Sequence, residues 1–439
     1  MKKFNFLKRI IRLIYSLYLK VVKVNSKGYP LIMSLKKPYI FFFNDPTVDS
    51  YFKQITEVVA FDKSINLILS HSNYLKSIGG TERIIASQVE DFKKNNISLI
   101  QIYPVDAKQG SKMFGLNING QELLTVDVHF LISLLRKFKF YNIFIHHTFK
   151  SANESLLLAI ISLKKTGISR YYLHDFYSIC PMINLWCHTY ATNDQQEQTG
   201  LCSKGGNSCD TIYGHGTIKV WRKSYTQILN SCDQIVSPSD FVAKKVMSKL
   251  KLNKEIKIIS PVIPYLVSTC NNNIKKNKLQ NLKPNLCYLG AGAELKGFNS
   301  WLEIINDKQI GSKFSFIHLG ADVPYNDLVR VIPYNYSRDG VNKVIDLLIQ
   351  EEVSHVLILS LIPESFSFTM NEAISAGAVV LTTAVTGNVE SFIRKNEHYG
   401  IVFDSFSHLF EYLKNEPVEK LKLFSKEDKI YNLKHNSLF

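Results

Sequence analysis

Two glutamates and the polar segment between them carry the clearest chemical signal in the sequence. Glu364 and Glu372 are separated by seven residues, 365–371, and they follow an apolar run, 355–360. If a helix begins within this segment, the carboxylates lie about two turns, or roughly 12 Å, apart. That separation is too large for the two groups to share one proton. It suits contacts with two hydroxyl-bearing parts of one extended ligand.

The backbone between the two glutamates adds a second chemical capacity. The amides of Ser365, Phe366, Ser367 and Phe368 open the predicted helix 368–376, which Gly377 can terminate. Amides at a helix N-terminus donate hydrogen bonds to phosphate oxygens, and the helix dipole favours the negative charge. The segment therefore combines acceptors for ligand hydroxyls with donors for phosphate.

Three further segments carry residues of the same kind. Gly79 and Gly80 lie between a predicted strand, 65–69, and a predicted helix, 81–94, where paired glycines let the backbone approach a ligand closely. Lys296 follows the predicted strand 285–289, opens the predicted helix 296–306 and is followed by Gly297. His174 ends the predicted strand 170–173, although a lone histidine is more often structural.

These residues fall at the ends of strands in a repeating strand and helix pattern. Alternation of this kind predicts parallel, doubly wound sheets, whose ligands bind at the carboxyl ends of the strands. The pattern runs through 61–260, stops in a polar stretch at 261–283, and restarts over 284–415. Because a single core stops growing near 250–300 residues, a chain of 439 residues is expected to form two α/β domains joined by a linker. An extension, 1–60, and a tail, 416–439, flank them.

The motifs together resemble family four of the retaining glycosyltransferases, which has the GT-B fold of two Rossmann-like domains facing across a cleft. The resemblance spans about residues 65–410 and rests on Glu364-x7-Glu372, Ala373-x-x-x-Gly377, the Gly79-Gly80 loop and the Lys296-Gly297 pair. It implies transfer of a sugar from a nucleoside-diphosphate sugar, with retention of configuration and no required metal or other cofactor.

The resemblance also implies a role for each candidate residue. Glu364 contacts the donor sugar, Glu372 contacts the nucleotide ribose, and Lys296 neutralises the diphosphate. The Gly79-Gly80 loop covers the donor diphosphate and borders the acceptor site. The family often has an arginine just after the first glycine of the 290–297 loop, where this chain has Ala291. Arg338 is the candidate replacement.

His174 begins the segment His174-Asp175-Phe176-Tyr177-Ser178-Ile179-Cys180-Pro181. This resembles the signature of a subgroup that builds bacterial surface polysaccharides, in which the histidine hydrogen-bonds the donor sugar. A glycan or lipid-linked acceptor is therefore expected on the N-terminal domain.

The net charge of +16 is concentrated in part at the N-terminus, where residues 1–25 contain seven basic residues and no acidic one. With its apolar residues this segment predicts an amphipathic helix that lies on an anionic membrane surface. The alternative is that the helix packs on the protein's own core. A cytoplasmic enzyme, peripheral on the inner face of the cell membrane, is expected. No nucleic-acid motif accompanies the charge.

The cysteines predict no disulfide framework, because the count of seven is odd and no secretory signal is recognisable. Cys180, Cys187, Cys202 and Cys209 cluster within thirty residues, and His188 is nearby. Their spacing is wider than in zinc knuckles, so buried free thiols are expected in preference to a structural zinc.

Three alternatives remain open from the sequence. The first is a catalytically silent GT-B-like subunit, which the alanine at position 291 favours. The second is another GT-B enzyme, such as a sugar-nucleotide epimerase. The third is a nucleic-acid-binding protein, which the net charge suggests but no basic, aromatic-rich segment supports. The base, sugar, acceptor and oligomeric state cannot be predicted from the sequence.

Overall fold

The computed structural model describes residues 46–58, 65–77, 79–105, 111–151, 153–181, 183–185, 218–261, 283–320, 327–334, 339–340, 343–417 and 420. The predicted N-terminal amphipathic helix, most of the predicted linker, Arg338 and the cysteines at 187, 202 and 209 lie outside these residues. Among the described residues, no helix is long and apolar enough to cross a bilayer.

The first part of the chain forms one eight-stranded sheet with helices packed against it. Its strands are β1 Ile65–Leu69, β2 Ser98–Pro104, β3 Met113–Ile118, β4 Gln121–Asp127, β5 Phe140–Ile145, β6 Ser169–Tyr172, β7 Gln234–Ser237 and β8 Ile256–Ile258. Its helices are α1 Pro46–Thr56, α2 Gly80–Lys94, α3 Val128–Leu135, α4 Glu154–Ile161, α5 Ile218–Ser231 and α6 Asp240–Met247. Every residue of β1 and β2 is buried, as expected for strands covered on both faces.

The second part forms a six-stranded parallel sheet. Its strands are β9 Asn285–Leu289, β10 Ser315–Gly320, β11 Val329–Pro333, β12 Val353–Ile358, β13 Val379–Thr383 and β14 Gly400–Phe403. Its helices are α7 Phe298–Asn306, α8 Lys308–Lys313, α9 Lys343–Gln350, α10 Phe368–Ser375, α11 Asn388–Lys395 and α12 Phe406–Asn415. The prediction of two Rossmann-like α/β units is confirmed, whereas the exact domain boundaries stay predictions.

The strand order fixes where each sheet opens toward a ligand. The orders are β4-β3-β2-β1-β5-β6-β7-β8 and β11-β10-β9-β12-β13-β14. The direction in which successive strands are added to the sheet reverses between β1 and β5 in the first sheet and between β9 and β12 in the second, and both pairs are parallel. Ligands of doubly wound sheets bind at such reversal points, outside the carboxyl ends of the strands. The loops that carry Lys296 and Glu364 follow β9 and β12, and therefore border this crevice.

The sequence interpretation missed an antiparallel hairpin at one edge of the first sheet. β3 pairs with β2 and β4, and both pairings are antiparallel. Asn119 and Gly120 connect β3 to β4, with φ values of 50° and 93°. Two consecutive left-handed residues favour the tight turn that matches strand twist, and Asn-Gly is the strongest local sequence signal for it.

The predicted helix start at Lys296 is wrong. A 3-10 turn covers Glu294–Lys296, and α7 begins only at Phe298 because Gly297 between them is left-handed, with φ 79°. A Cβ atom at Gly297 would lie 2.1 Å from the Leu359 carbonyl oxygen. The close approach of these two loops therefore requires glycine.

We expect Gly297→Ala to lower the free energy of unfolding by at least about 1–3 kcal/mol, since it combines a left-handed conformation with a backbone clash. Urea denaturation measures the loss. Gly311→Ala in α8 is the matched control, because a Cβ there would lie 3.6 Å from the Phe316 ring, an ordinary van der Waals contact. Equal stability of the two variants would contradict this account of Gly297.

Candidate functional site

The loops after β9 and β12 place a cation and a carboxylate in direct contact. Lys296 Nζ lies 2.5 Å from Glu364 Oε1. The Lys296 side chain is 46% exposed and that of Glu364 is 15% exposed, so the ammonium faces the solvent side of the pair. The Tyr288 hydroxyl donates to the Lys296 carbonyl oxygen at 3.0 Å, and this hydrogen bond connects the 3-10 turn to β9. The two predicted donor-site residues therefore meet at the reversal point of the second sheet.

The backbone of Glu364 is fixed by the loop that precedes α11. The Glu364 amide donates to the Thr386 carbonyl oxygen at 3.1 Å, and its carbonyl oxygen accepts from the Asn388 amide at 2.9 Å. Gly387 between these partners has φ 66°, and a Cβ there would lie 2.8 Å from Pro363 Cα. The segment 386–390 thus positions the catalytic candidate Glu364 through backbone contacts.

Helix α10 begins at Phe368, the residue where the sequence interpretation placed its start. Ser367 is the N-cap, whose hydroxyl accepts from the Met370 amide at 3.1 Å. Ser365 and Phe366 precede the helix. Of the four amides that the sequence analysis assigned to phosphate oxygens, only those of Ser367 and Phe368 therefore belong to the N-terminal turn of the helix.

Glu372 lies within α10 and is only 3% exposed. Burial raises its pKa above the usual value, and the charge and hydrogen bond of Arg83 oppose that shift. Arg83 Nη1 lies 2.6 Å from Glu372 Oε1. Since Arg83 belongs to α2 of the first sheet, this ion pair joins the two halves of the molecule.

Arg83 and Gly80 both lie close to the first residue of α10. The Arg83 guanidinium lies 4.2 Å from the centroid of the Phe368 ring. A Cβ at Gly80 would lie 3.3 Å from the same ring, so the Gly79-Gly80 turn faces α10 closely. The predicted glycine loop and the predicted phosphate-binding turn are therefore brought together across the cleft.

Ser365 forms a second connection between the two halves. Its hydroxyl donates to the carbonyl oxygen of His174, and its own carbonyl oxygen accepts from the Ser239 hydroxyl at 2.8 Å. Farther out, Lys395 Nζ lies 3.2 Å from Asp240 Oδ2. The loop that carries Glu364 is thus tied to the strand end that carries His174.

Histidines follow three neighbouring strands of the first sheet. His71 follows β1, His146 and His147 follow β5, and His174 follows β6. His146 Nε2 lies 2.7 Å from Gln88 Oε1, and His146 Nδ1 lies 2.9 Å from His174 Nε2. Because Gln88 Oε1 is an acceptor, His146 donates to it through Nε2 and accepts from His174 Nε2 through Nδ1. The Nδ1 atom of the neutral His174 is then an acceptor for a ligand hydroxyl.

The imidazole of His147 is oriented by the carboxylate of Asp175. His147 Nδ1 accepts from the Phe149 amide at 3.0 Å, so its Nε2 carries the proton and donates to Asp175. Burial opposes ionisation of Asp175, but His147 and the Tyr177 amide together lower its pKa below the usual value. His71 packs on His147 with ring centroids 4.4 Å apart, and its Nε2 lies 3.2 Å from Glu82 Oε1.

Sequence reasoning assigned no role to Arg83, His71, His146, His147 or Asp175. The signal for the histidines was available, since His146 and His147 follow a strand just as His174 does. The partner of Arg83 had no comparable signal, because 289 positions separate it from Glu372 in the chain.

Three of these histidines are expected to make the protein acid-sensitive. Burial lowers the pKa of His71 to about 4 and of His174 to about 3, and it holds the pKa of His146 well below 6.5. Between about pH 6.5 and 4 the unfolded chain therefore binds protons that the folded chain does not. The free energy of unfolding should fall with pH by up to about 1.4 kcal/mol per unit for each histidine.

Urea titrations between pH 7 and pH 5 measure this slope. Glu372 acts in the opposite direction, because its raised pKa favours the folded state as pH falls, but it is one group against three. We expect His146→Gln to make the slope shallower. The control His398→Gln, at an exposed position, should leave the slope as in the wild type. A wild-type stability that is flat across this range would contradict the prediction.

The cysteine prediction is addressed only in part by the described residues. Cys180 is buried, and Cys232 and Cys287 are buried free thiols. Among the described residues, no group of three or more histidine, cysteine, aspartate or glutamate side chains could hold a metal ion. The other cysteines of the 180–209 cluster lie outside them, so the expectation of free thiols there stays a prediction.

No protein-family model and no curated protein matches the chain. Solved structures do match. A sucrose-phosphate synthase from Thermosynechococcus elongatus aligns at 12% identity and a TM-score of 0.51, over 83% of this chain and 92% of that one. WaaG, a glycosyltransferase involved in lipopolysaccharide biosynthesis, aligns at 13% identity and a TM-score of 0.44, over 84% and 97%. Anabaena HepE in complex with UDP-glucose aligns at 12% and 0.46, over 82% and 92%.

The chain has the GT-B fold. That prediction is confirmed by the two parallel-dominated sheets with their helices. It is also confirmed by the match to the sucrose-phosphate synthase, which covers 92% of the synthase chain. At 12% identity the likeness shows the fold alone, so the chemistry has to be argued from the site.

Proposed function

We propose that the protein is a retaining glycosyltransferase that moves a sugar from a nucleoside-diphosphate sugar to a glycan or lipid-linked acceptor in surface polysaccharide biosynthesis. The observation that carries the proposal is the pair of carboxylate–cation contacts at the cleft, Lys296–Glu364 and Arg83–Glu372. A nucleotide sugar offers hydroxyls for the carboxylates and anionic oxygens for cations. It is therefore a ligand that satisfies both members of each pair.

Within this proposal the residues act at different parts of the donor. Glu364 accepts a hydrogen bond from the donor sugar, and His174 accepts another through Nδ1. As the bond between the sugar and the diphosphate breaks, negative charge develops on the departing oxygen. Lys296 and the N-terminal amides of α10 stabilise that charge, which lowers the barrier because they are already in place. Glu372 accepts hydrogen bonds from the nucleotide ribose.

The buried state of Glu372 supports the assignment to a hydroxyl-rich group. A carboxylate that is 3% exposed and paired with one arginine is costly to keep ionised, and burial raises its pKa. Two hydroxyl donors on adjacent ribose carbons would satisfy its remaining lone pairs. Several structures that align with this chain, including HepE, are complexes with a nucleotide or a nucleotide sugar.

The experiment that tests the proposal is a panel of nucleotide sugars, assayed first by thermal shift and then by release of nucleoside diphosphate. One nucleotide sugar should raise Tm and be consumed, with the anomeric configuration kept in the product. Turnover should persist in EDTA, since no metal is required. A Tm shift without any hydrolysis or transfer would favour the catalytically silent subunit, and a change in the sugar without its release would favour the epimerase.

We further propose that residues 1–25 bind an anionic membrane surface from the cytoplasmic side, which places the enzyme beside a lipid-linked acceptor. Their seven basic residues each contribute roughly 1 kcal/mol near such a surface. Liposome co-sedimentation tests this. Binding should require anionic lipid, weaken with salt and disappear when 1–25 are deleted. A poorly folded deletion variant, together with a full chain that ignores the liposomes, would show that the segment is structural.

A further inference from the structure

The two loops that border the crevice of the second sheet carry little positive charge for a diphosphate. In these loops, 290–297 and 359–367, Lys296 is the only basic residue. A nucleoside diphosphate carries at least two negative charges when bound as a sugar ester. The chain has Ala291 at the position where the family that it resembles often has arginine. These two loops therefore supply one cation for the two charges of the diphosphate.

Arg83 lies where such a cation is needed. It belongs to α2 of the opposite half, but its guanidinium lies 4.2 Å from the ring of Phe368, the first residue of α10. Its side chain is 11% exposed, so it is enclosed between the two halves. A planar guanidinium in this place can form two parallel hydrogen bonds to phosphate oxygens.

Both cations of the cleft are paired with the carboxylates that the proposed function assigns to ligand hydroxyls. Lys296 forms an ion pair with Glu364, and Arg83 forms one with Glu372. We propose that Arg83 is the second diphosphate-binding cation. When the donor binds, the ribose hydroxyls donate to Glu372, and Arg83 leaves Glu372 and pairs with the diphosphate. This inference rests on the proposed function, and it adds a donor-binding residue that comes from the acceptor side of the cleft.

The exchange leaves no buried charge without a partner. Moving Arg83 alone would strand the carboxylate of Glu372, which is costly in a buried position. Ribose hydroxyls satisfy Glu372 at the moment when Arg83 leaves it, and the diphosphate receives the guanidinium. A nucleoside without phosphates has the ribose hydroxyls that bind Glu372 but no phosphate oxygens that bind Arg83. It therefore competes with Arg83 for Glu372 and provides no new partner for the guanidinium.

Binding of two probes to Arg83→Gln tests the inference. The probes are the nucleoside diphosphate that gives the largest Tm shift with the wild type, and the nucleoside of the same base. Loss of a charged hydrogen-bond donor should raise the Kd of the diphosphate about 10- to 100-fold. The Kd of the nucleoside should stay the same or fall, because its competitor for Glu372 is gone. Isothermal titration calorimetry measures both constants.

Two comparison variants sharpen this test. Lys296→Gln should show the same selective loss for the diphosphate, since it removes the other cation. Arg394→Gln should change neither constant, because Arg394 lies on α11 and pairs with Glu390 and Asp404. If Arg83→Gln fails to fold, Arg83→Lys decides. A loss confined to the diphosphate supports the exchange, and an equal effect on both probes contradicts it.

The contradicting outcomes are distinct. Equal weakening of both probes would make Arg83 a structural link between the two halves, and tighter binding of both would make it only a competitor. Unchanged constants would also overturn the inference. If instead the wild type binds no nucleoside diphosphate or nucleotide sugar, the proposed function itself fails, whatever Arg83 does.

Discussion

Glu364→Gln should lower kcat for glycosyl transfer by about 10²- to 10³-fold, the usual cost of removing one preorganised electrostatic contact at a reacting centre. Glutamine keeps the size of the side chain but loses the charge that Lys296 pairs with and the second acceptor oxygen. The backbone contacts of Glu364 with Thr386 and Asn388 do not involve the side chain, so the loop should keep its conformation. Steady-state rates with the nucleotide sugar identified by the panel measure the effect.

Glu303→Gln is the matched control for this prediction. Glu303 is exposed on α7, on the same half of the molecule, and its loss of charge is the same. Circular dichroism and Tm of both variants should match the wild type. A folded Glu364→Gln enzyme with wild-type kcat would remove Glu364 from the site.

Glu372→Ala should act mainly on donor binding and on stability. We expect KM for the nucleotide sugar to rise about 10- to 100-fold, as for loss of a charged hydrogen-bond partner, with kcat changed much less. A ribose contact is made equally in the ground state and the transition state, so it affects binding and not the chemical step. The same variant leaves Arg83 without its carboxylate in a mostly buried position, which should cost about 3–5 kcal/mol of stability.

Double substitution separates the two effects of Glu372→Ala. Arg83→Gln combined with Glu372→Ala removes both charges, so it should be more stable to urea than Glu372→Ala alone. The raised KM should not be restored, because the ribose contact is still missing. Recovery of a wild-type KM in the double variant would show that Glu372 serves only to hold Arg83.

The strands that position the candidate site were predictable because their signals are local. The apolar runs at 65–69 and 285–289 have the length of buried strands and match β1 and β9 without a shift. Glu364 and Lys296 could be assigned to one crevice because each follows such a run. Parallel topology then brings their loops together, as the 2.5 Å contact between the two side chains shows.

What the sequence did not reveal depends on packing between distant segments. Nothing local marks Arg83 as the partner of Glu372, since the contact exists only after two separate sheets have formed and met. The left-handed conformation of Gly297 also depends on a segment that is distant in the sequence. Lys-Gly in an otherwise helical pattern is compatible with a continuous helix, and the close approach of Leu359 to Gly297 is seen only in the folded structure.

The pairing of both cleft cations with carboxylates has a consequence for the kinetics of association. Lys296–Glu364 and Arg83–Glu372 are each neutral overall, so an approaching diphosphate is attracted at long range mainly by the net charge of +16 on the whole chain. That attraction is screened beyond about 8 Å at physiological salt. The strong local contacts form only after encounter, once the ion pairs have opened. Association should therefore proceed in two steps, with a salt-sensitive collision followed by an exchange whose rate reaches a ceiling at high ligand concentration.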